Sequence, residues 1–181
     1  MMRLFIALKI PDLTKDYLSL SCLSGIPHAA FSHKSDLHIT LRYIGNADES
    51  LIDEICLELN EFRTFKALSL TCDGLGVFGT KQRAKVLWVS IMESNPLLDL
   101  KNKIDKQIDQ FGFARDKRRY RPHITLARMR KSAEKELSFF IQNKADYCCF
   151  DFKALEIALF NSNPIQKGPK YEELYSVRLT S

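Results

Sequence analysis

The sequence has no apolar run long enough to cross a bilayer and no signal-peptide pattern at its N-terminus. It also lacks a long segment of proline, glycine and serine that would separate two domains. These absences predict a cytoplasmic protein with no membrane partner, folded as one bilobal domain over residues 1–181. With 45% hydrophobic and 27% charged residues, the chain can bury a substantial core.

Cysteine and histidine are sparse, and their spacing fits none of the common frameworks. The five cysteines include no Cys-x-x-Cys pair, and their odd number argues against a disulfide framework. His28, His33 and His38 are spaced five residues apart, which fits neither a zinc finger nor a helical zinc site. We therefore predict buried free thiols, no metal site and no cofactor.

A repeated tetrapeptide is the most informative feature that is present. His-Ile-Thr-Leu occurs at residues 38–41 and again at 123–126, a separation of 123 − 38 = 85 residues. Successive side chains of a strand point to opposite faces, so each copy would place its histidine and threonine on one face. Two such strands side by side would suit acid and base chemistry on an oxyanion. The predicted catalytic residues are His38, Thr40, His123 and Thr125.

The sequence before each copy follows the same plan. A β-rich apolar run, at 3–8 or 86–91, is followed by a helical pattern and then by the motif. The second helix is predicted to start at Asn95, with a proline directly after it. The apolar residues at helical spacing are Leu13, Tyr17 and Leu20 in the first pattern, and Leu97, Leu100, Ile104, Ile108 and Phe111 in the second.

The parallel continues after each motif. A helix capped by Asp48 or Ser50 follows the first motif, and one capped by Ser132 follows the second. Their apolar residues are Leu51, Ile55, Leu59 and Phe62 in the first, and Leu137, Phe140 and Ile141 in the second. The strands predicted after these helices lie at 68–72, 150–160 and 173–179.

These patterns indicate a duplicated strand, helix, strand, helix, strand unit. The pseudo-repeats cover roughly residues 1–80 and 84–181. We predict an α+β fold in which pseudo-twofold symmetry carries both motifs to a shared cleft.

A glycine motif at 74–79 matches Gly-x-Gly-x-x-Gly and follows a predicted strand, as in a dinucleotide-binding turn. The residues after it are few and polar, and they lead directly into the strand at 86–91. No helix N-terminus is therefore available there for a pyrophosphate. We interpret the motif as a flexible turn between strands.

The distribution of charge indicates the kind of ligand. The net charge is +5, and basic residues cluster around the second motif, which favours an anionic ligand such as RNA. Residues 115–119 also fit a solvated basic loop. By strand parity Arg42 and Arg121 would face the cleft, whereas Arg128 would need a β-bulge to reach it. The cluster consists of Arg115, Lys117, Arg118, Arg119, Arg121, Arg128, Arg130 and Lys131.

The paired motifs, together with the segment 121–128, resemble those of the two-histidine (2H) phosphoesterases. Within that group the chain is similar to the RNA 2′,3′-cyclic phosphodiesterases, historically called 2′-5′ RNA ligases. Before the first motif the family often has tryptophan and arginine, where this chain has Phe31 and His33. The other segments that carry the resemblance are 3–8, 74–78, 87–88 and 168–171, so it spans essentially the whole chain.

The resemblance implies two antiparallel sheets that line a central cleft. We also predict that the C-terminal strand can complete the other lobe. The resemblance also implies metal-free hydrolysis of an RNA 2′,3′-cyclic phosphate end to a 2′-phosphomonoester. His38 would then protonate the leaving 3′ oxygen and His123 would activate water, roles that the residue types alone do not separate. Thr40, Thr125 and an arginine would stabilise charge on the non-bridging oxygens, with Arg128, Arg121 and Arg42 as candidates.

Three functions are consistent with these observations. The leading one is a phosphodiesterase acting on RNA ends or small cyclic nucleotides, whose site could also ligate RNA when run backward. The second is a module that binds a nucleotide or RNA end without turnover, against which the intact histidines and threonines weigh. The third is a metal-dependent hydrolase, which would lose activity to chelators. No obligate protein partner is predicted.

Overall fold

A computed structural model of the chain describes residues 1–22, 25–79, 84–129, 134–144, 146–162 and 170–181. These residues form a mixed α/β structure, which confirms the predicted α+β class. The strands are β1 (Met2–Lys9), β2 (Ala29–Phe31), β3 (His38–Ala47), β4 (Leu68–Phe78), β5 (Val86–Ile91), β6 (His123–Met129), β7 (Cys149–Ala154), β8 (Glu156–Asn161) and β9 (Glu172–Arg178). The α-helices are α1 (Asp12–Ser21), α2 (Ile52–Asn60), α3 (Asn95–Asp109) and α4 (Glu134–Lys144).

The strands form one continuous sheet in which neighbouring strands are antiparallel. Their order is β7-β4-β5-β6-β3-β1-β8-β9, and β2 lies against β6. At the middle of the sheet, β3 is joined to β6 by the pairing of Ile39 with Ile124. The two antiparallel sheets implied by the resemblance are therefore the two halves of one sheet, which meet at this pair.

The two predicted sequence repeats exchange strands. β4 comes from the first repeat, yet it pairs with β5 and β7 from the second. β8 comes from the second repeat, yet it pairs with β1 from the first, and β9 lies beside β8. Neither repeat therefore contains all the strands of one half of the sheet.

Helical spacing predicts the buried faces of α2 and α3 correctly, but it is wrong for α1. The buried residues of α2 and α3 are Ile55, Leu59, Leu97, Leu100, Ile104, Asp105 and Ile108. In α1, Leu13 and Leu20 are 84% and 63% exposed, and Tyr17 is 42% exposed. Leu18 and Thr14, one position further round, are buried instead. A helix this short has two plausible apolar faces, and its docking against the sheet selects between them.

The predicted helix starts are close to those observed. Asp48 caps a short 3₁₀ turn before α2, and its carboxylate accepts from the N–H of Ser50. α3 is capped by Ser94 rather than Asn95, with Pro96 in its first turn. Ser132, the predicted cap of α4, lies outside the described residues.

The glycine motif is not the flexible turn that its sequence suggests. Residues 74–78 belong to β4, and 75–78 pair with β5 after an irregularity in the register between Cys72 and Leu75. A Cβ on Gly76 would lie 2.4 Å from Cη2 of Trp88, so a side chain there would collide with the indole ring. This glycine allows Trp88 to pack directly on the backbone of β4.

All five cysteines are free. The prediction that they are buried is correct only for Cys72 and Cys148. Cys22 and Cys56 are half-buried, and Cys149 is exposed. Among the described residues, no helix is both long enough and apolar enough to cross a membrane.

Candidate active site

The two His-Ile-Thr-Leu motifs lie side by side at the centre of the sheet. The antiparallel pairing of Ile39 with Ile124 places Thr40 opposite His123 and His38 opposite Thr125. Opposed residues of an antiparallel pair have Cβ atoms roughly 5 Å apart. All four side chains line one cleft of about 500 Å³. The structure thus brings together the four residues predicted to be catalytic.

Each motif contains a β-bulge at the same point. In β3 the register with β1 passes from Thr40 directly to Arg42, and in β6 the register with β5 passes from Thr125 to Ala127. Each bulge adds one residue and so reverses the faces of the residues that follow. Arg128 accordingly lines the cleft, through the kind of bulge that its parity required.

The bulge in β3 makes the parity argument wrong for Arg42, because it reverses the face of the strand on which Arg42 lies. Its side chain is 3% exposed and forms ion pairs at 3.3 Å with both Asp105 and Asp109 on α3. It also donates to the carbonyl of Phe113 at 2.9 Å. Arg42 therefore ties β3 to α3 within the protein and does not face the cleft.

Arg121 contributes its backbone to the site rather than its side chain. The residue is exposed, and it is not among the residues that line the cleft. Its carbonyl oxygen instead accepts a hydrogen bond from Nδ1 of His123 at 2.7 Å. Arg130 and Lys131 lie outside the described residues.

Both imidazoles are oriented by the same kind of backbone contact. Nδ1 of His38 donates to the carbonyl oxygen of Asp36 at 2.7 Å, which mirrors the bond of His123. A carbonyl oxygen can only accept, so Nδ1 of each ring carries a proton. Nε2 is then the nitrogen that remains for proton transfer. In His38 this atom lies 3.1 Å from Oγ1 of Thr40.

Aromatic rings surround both histidines. The ring of His38 lies 4.9 Å from that of Phe5 and 5.1 Å from that of Tyr171, measured between centroids. The ring of His123 lies 4.9 Å from that of Phe78 and 5.8 Å from that of Trp88. These contacts remove water from the faces of both imidazoles.

Burial is the main cause that lowers the pKa of both histidines. It lowers the pKa of His38 to about 4, with a smaller contribution from the positive charges of His123 and Arg128. The pKa of His123 is also lowered, first by burial and then by the charge of Arg128. At neutral pH the unliganded cleft therefore holds two neutral imidazoles.

Asp36 is a site residue that the sequence did not reveal. It is buried in a 3₁₀ turn just before β3, and its carbonyl orients His38. Its carboxylate accepts from the backbone N–H of Lys170 at 3.0 Å, next to Tyr171. Asp36 thus joins the C-terminal segment to the first motif and helps to place Tyr171 against His38.

Arg3 and Tyr43 also line the cleft and were not predicted there. The duplication contains the signal that would have found Tyr43, because 128 − 43 = 85 is also the separation of the two motifs. Tyr43 is thus the counterpart of Arg128, and Arg42 is the counterpart of the buried Ala127. No comparable pattern in the sequence indicates Arg3. The remaining residues that line the cleft are Phe5, Ser32, Ser162, Lys170 and Tyr171.

The cleft presents imidazole, hydroxyl and guanidinium groups. Among the residues that the structure describes, no three histidine, cysteine, aspartate or glutamate side chains are grouped so that they could hold a metal ion. The arrangement can provide two nitrogen atoms for proton transfer and a cation for an oxyanion.

Comparison with known proteins identifies a family and relatives of this chain. The family model described as the 2′-5′ RNA ligase superfamily matches residues 26–162. The RNA 2′,3′-cyclic phosphodiesterase of Archaeoglobus fulgidus is 27% identical over 175 residues, which cover 96% of this chain and 98% of the relative. The protein of the same name from Methanocaldococcus jannaschii is 29% identical over 176 residues, with 94% and 97% covered.

Solved structures show the same fold. LigT of E. coli, crystallised with 3′-AMP, superposes with a TM-score of 0.79 at 21% identity, and the match covers 99% of both chains. A protein of Thermus thermophilus superposes with a TM-score of 0.82 at 20% identity, covering 98% of both.

Proposed function

The chain belongs to the 2′-5′ RNA ligase superfamily, and we propose that it hydrolyses 2′,3′-cyclic phosphate ends of RNA to 2′-phosphomonoesters. The observation that carries this proposal is the pair of imidazoles at one cleft, each with Nδ1 bound to a carbonyl and Nε2 left for proton transfer. The names of the relatives from Archaeoglobus and Methanocaldococcus support the reaction class.

Hydrolysis of the cyclic ester needs a base on one side of phosphorus and an acid on the other. We assign the base to Nε2 of His123, which takes a proton from the attacking water. The water oxygen bonds to phosphorus while the bond from phosphorus to the 3′ oxygen breaks. His38, protonated at Nε2, gives its proton to that oxygen, so the phosphate stays on the 2′ oxygen.

The other polar groups of the cleft stabilise the charge on phosphorus. The hydroxyls of Thr40 and Thr125 lie opposite the two imidazoles and can donate to the non-bridging oxygens. Arg128 supplies a full positive charge close enough to act on both histidines.

The bound substrate would make the acid available. In the unliganded cleft the pKa of His38 is about 4, so His38 is neutral at pH 7. A cyclic phosphate carries a negative charge, and its arrival favours the protonated form of a neighbouring imidazole. Substrate binding and protonation of His38 are therefore coupled in this proposal.

The test is to incubate the purified protein with a short RNA that ends in a 2′,3′-cyclic phosphate and to follow the product by phosphorus NMR. A single 2′-phosphate is expected. A mixture of 2′- and 3′-phosphates would contradict a positioned acid and base. Binding without turnover would identify a nucleotide-binding module instead. Loss of activity to EDTA that zinc or manganese restores would identify a metal-dependent hydrolase.

Ligation would use the same geometry. If the 5′-hydroxyl of a second RNA takes the place of water, the same displacement joins the two strands through a 2′-5′ bond. Adding such an RNA to the assay and looking for a longer product by gel electrophoresis tests this extension.

A further inference from the structure

A second arginine, Arg3, is held at the cleft in a defined orientation. Its Nε donates to the hydroxyl of Tyr43, and its guanidinium carbon lies 5.5 Å from the centroid of the Tyr43 ring. Its carbonyl accepts from the backbone N–H of Ser162 at 2.7 Å and from the hydroxyl of the same residue at 3.0 Å. Both the backbone and the side chain of Arg3 are therefore positioned.

Arg3 has donors to spare. Tyr43 occupies Nε, which leaves the two terminal amino groups of the guanidinium. Within the described part of the chain, the ion pairs involve other cations, and no carboxylate pairs with Arg3. An unpaired guanidinium at a cleft is suited to a phosphate, which it can bind through two parallel hydrogen bonds.

Arg3 lies several residues along β1 from the position that pairs with the first motif. Along β1, Ala7 pairs with Thr40 and Phe5 pairs with Tyr43, and Arg3 is two residues beyond Phe5. The four residues from Ala7 to Arg3 span about 13 Å of strand. The side chain of Arg3 lies over the ring of Tyr43, so it extends only part of the way back along the strand towards Thr40. The charge of Arg128 lowers the pKa of both histidines, which places Arg128 close to the reacting groups.

We propose that Arg3, oriented by Tyr43, binds the phosphate on the 5′ side of the ribose that carries the cyclic phosphate. This inference rests on the proposed function and specifies its substrate class. A nucleoside 2′,3′-cyclic phosphate has one anionic group, which Arg128 would hold. An RNA end has a second phosphate one nucleotide unit away, for which the cleft offers Arg3. The site then prefers RNA ends and 5′-phosphorylated nucleotides over nucleoside cyclic phosphates.

The test compares adenosine 2′,3′-cyclic phosphate with the same molecule bearing a 5′-phosphate, so that the reacting group is unchanged. We expect the 5′-phosphorylated substrate to have a kcat/KM about tenfold higher, the size expected of one charge-assisted contact. In Arg3→Gln this advantage should fall to about twofold or less, mainly through KM. Raising the salt concentration should reduce the preference of the unmodified protein.

Two further variants separate Arg3 from general charge effects. Arg118→Gln is the matched control, because Arg118 is exposed and pairs with Asp116, and it should keep the full preference. Tyr43→Phe keeps the ring but removes the hydroxyl that orients Arg3, so it should give an intermediate preference. Circular dichroism of each variant checks that the fold is retained.

Several outcomes would overturn the inference. One is an equal loss of kcat/KM on both substrates in Arg3→Gln. Another is an equal kcat/KM for both substrates in the unmodified protein. A third is a preference that is lost in Lys170→Gln rather than in Arg3→Gln. If the unmodified protein hydrolyses neither substrate, the proposed function fails. The role of Arg3 is then decided by calorimetric binding of the same two nucleotides, where equal affinities would refute it.

Discussion

Each of the two histidines bonds, through Nδ1, to the carbonyl two residues before it in the chain. This local contact makes the tautomer of each ring a property of the backbone. It leaves Nε2 of both rings as the nitrogen for proton transfer, and it holds both rings at the cleft. An asparagine or glutamine at either position would keep some of the polarity but could not exchange a proton near neutral pH.

Replacing either histidine should therefore abolish most of the activity. We expect His38→Ala and His123→Ala each to lower the rate of the chemical step by on the order of 10² to 10⁴, the range for loss of a general acid or base. The fold should survive, because both side chains lie at the cleft. Single-turnover assays and circular dichroism measure the two effects.

The matched control for these variants is His28→Asn. His28 is exposed, does not line the cleft, and has φ of 61°, a conformation that asparagine tolerates. It should keep the full rate. A rate close to that of the unmodified protein in His38→Ala or in His123→Ala would refute the two-histidine mechanism.

The lowered pKa values predict an unusual pH dependence. Burial lowers the pKa of His38 to about 4 and also lowers that of His123, and kcat/KM reports the ionisation of the free enzyme. The form with one neutral and one protonated imidazole is most abundant between these two lowered values. We therefore expect a bell in kcat/KM with its maximum below pH 6.5, the pKa of an unperturbed imidazole.

The bell in kcat should lie at higher pH, because the bound phosphate raises the pKa of both imidazoles. Steady-state rates measured between about pH 4 and 9 would give both profiles. Each single-histidine variant should lose one limb of the bell. Coincident profiles for kcat and kcat/KM, or a flat profile, would show that substrate binding and protonation are not coupled.

At the scale of secondary-structure elements, the two bulges decide which side chains enter the cleft. In β3 the bulge turns Arg42 towards α3 and Tyr43 towards the cleft. In β6 the equivalent bulge buries Ala127 and turns Arg128 towards the cleft. The two motifs therefore carry different residues at equivalent positions. At one end of the cleft the motif strand itself supplies a cation, Arg128. At the other end it supplies Tyr43, which holds the cation Arg3.

Arg42 should accordingly affect stability rather than catalysis. Among the described residues, Arg42→Gln would leave Lys101 as the remaining ion-pair partner of the buried carboxylate of Asp105. Removal of one partner from a buried ion pair costs on the order of 3 kcal/mol. We expect a loss of that size in urea unfolding, with kcat/KM nearly unchanged.

Arg118→Gln is the control for this experiment, because its ion pair with Asp116 is exposed, and it should leave the unfolding midpoint unchanged. A large rise in KM for Arg42→Gln without loss of stability would instead place Arg42 in the substrate site.

Gly76 connects β4 to the second histidine through Trp88. In Gly76→Ala the new methyl group would meet the indole ring at 2.4 Å, so Trp88 must move, and Trp88 packs against His123. We expect a loss of roughly 1–3 kcal/mol in stability together with lower activity. Trp88 is the only tryptophan of the chain, so its fluorescence reports the shift.

Gly74→Ala is the matched comparison, because a Cβ on Gly74 would meet no atom within 4 Å. It should cost stability through its positive φ of 75° but leave the emission of Trp88 unchanged. Unchanged emission and activity in Gly76→Ala would show that the ring is free to move away without effect on His123.

At the scale of the whole molecule, the exchange of strands makes the two halves of the sheet interdependent. A fragment of residues 1–80 would contain β4 without its partners β5 and β7, and one of residues 84–181 would contain β8 without β1. Each would expose apolar strand edges that are buried in the intact chain.

We expect neither fragment to fold alone and a mixture of the two to recover structure and activity. Circular dichroism during urea titration would measure folding, and the cyclic phosphodiesterase assay would measure recovery. A cooperative unfolding transition in either isolated fragment would mean that one half of the sheet is self-sufficient.

Much of this architecture could be predicted from local patterns. The α+β class and the buried faces of α2 and α3 depend on spacing along the chain, which the sequence displays directly. The face of α1 could not be predicted this way, because the spacing permits two faces and only contact with the sheet selects Leu18 over Leu13. The strand at 74–78 is not predicted because Gly76 is required by a ring that lies on another strand.

By itself, the sequence determined that two identical motifs exist and that each would present its histidine and threonine on one face of a strand. Only the tertiary structure decided what joins them at the cleft. The bulges that remove Arg42 and admit Arg128 and Tyr43 arise from pairing with β1 and β5, so the alternation within one strand does not predict them. Arg3 is held at the cleft by Tyr43 and Ser162, and Asp36 binds the backbone of Lys170, all of them far away in the chain. The lowered pKa values likewise depend on burial, which only the packed molecule defines.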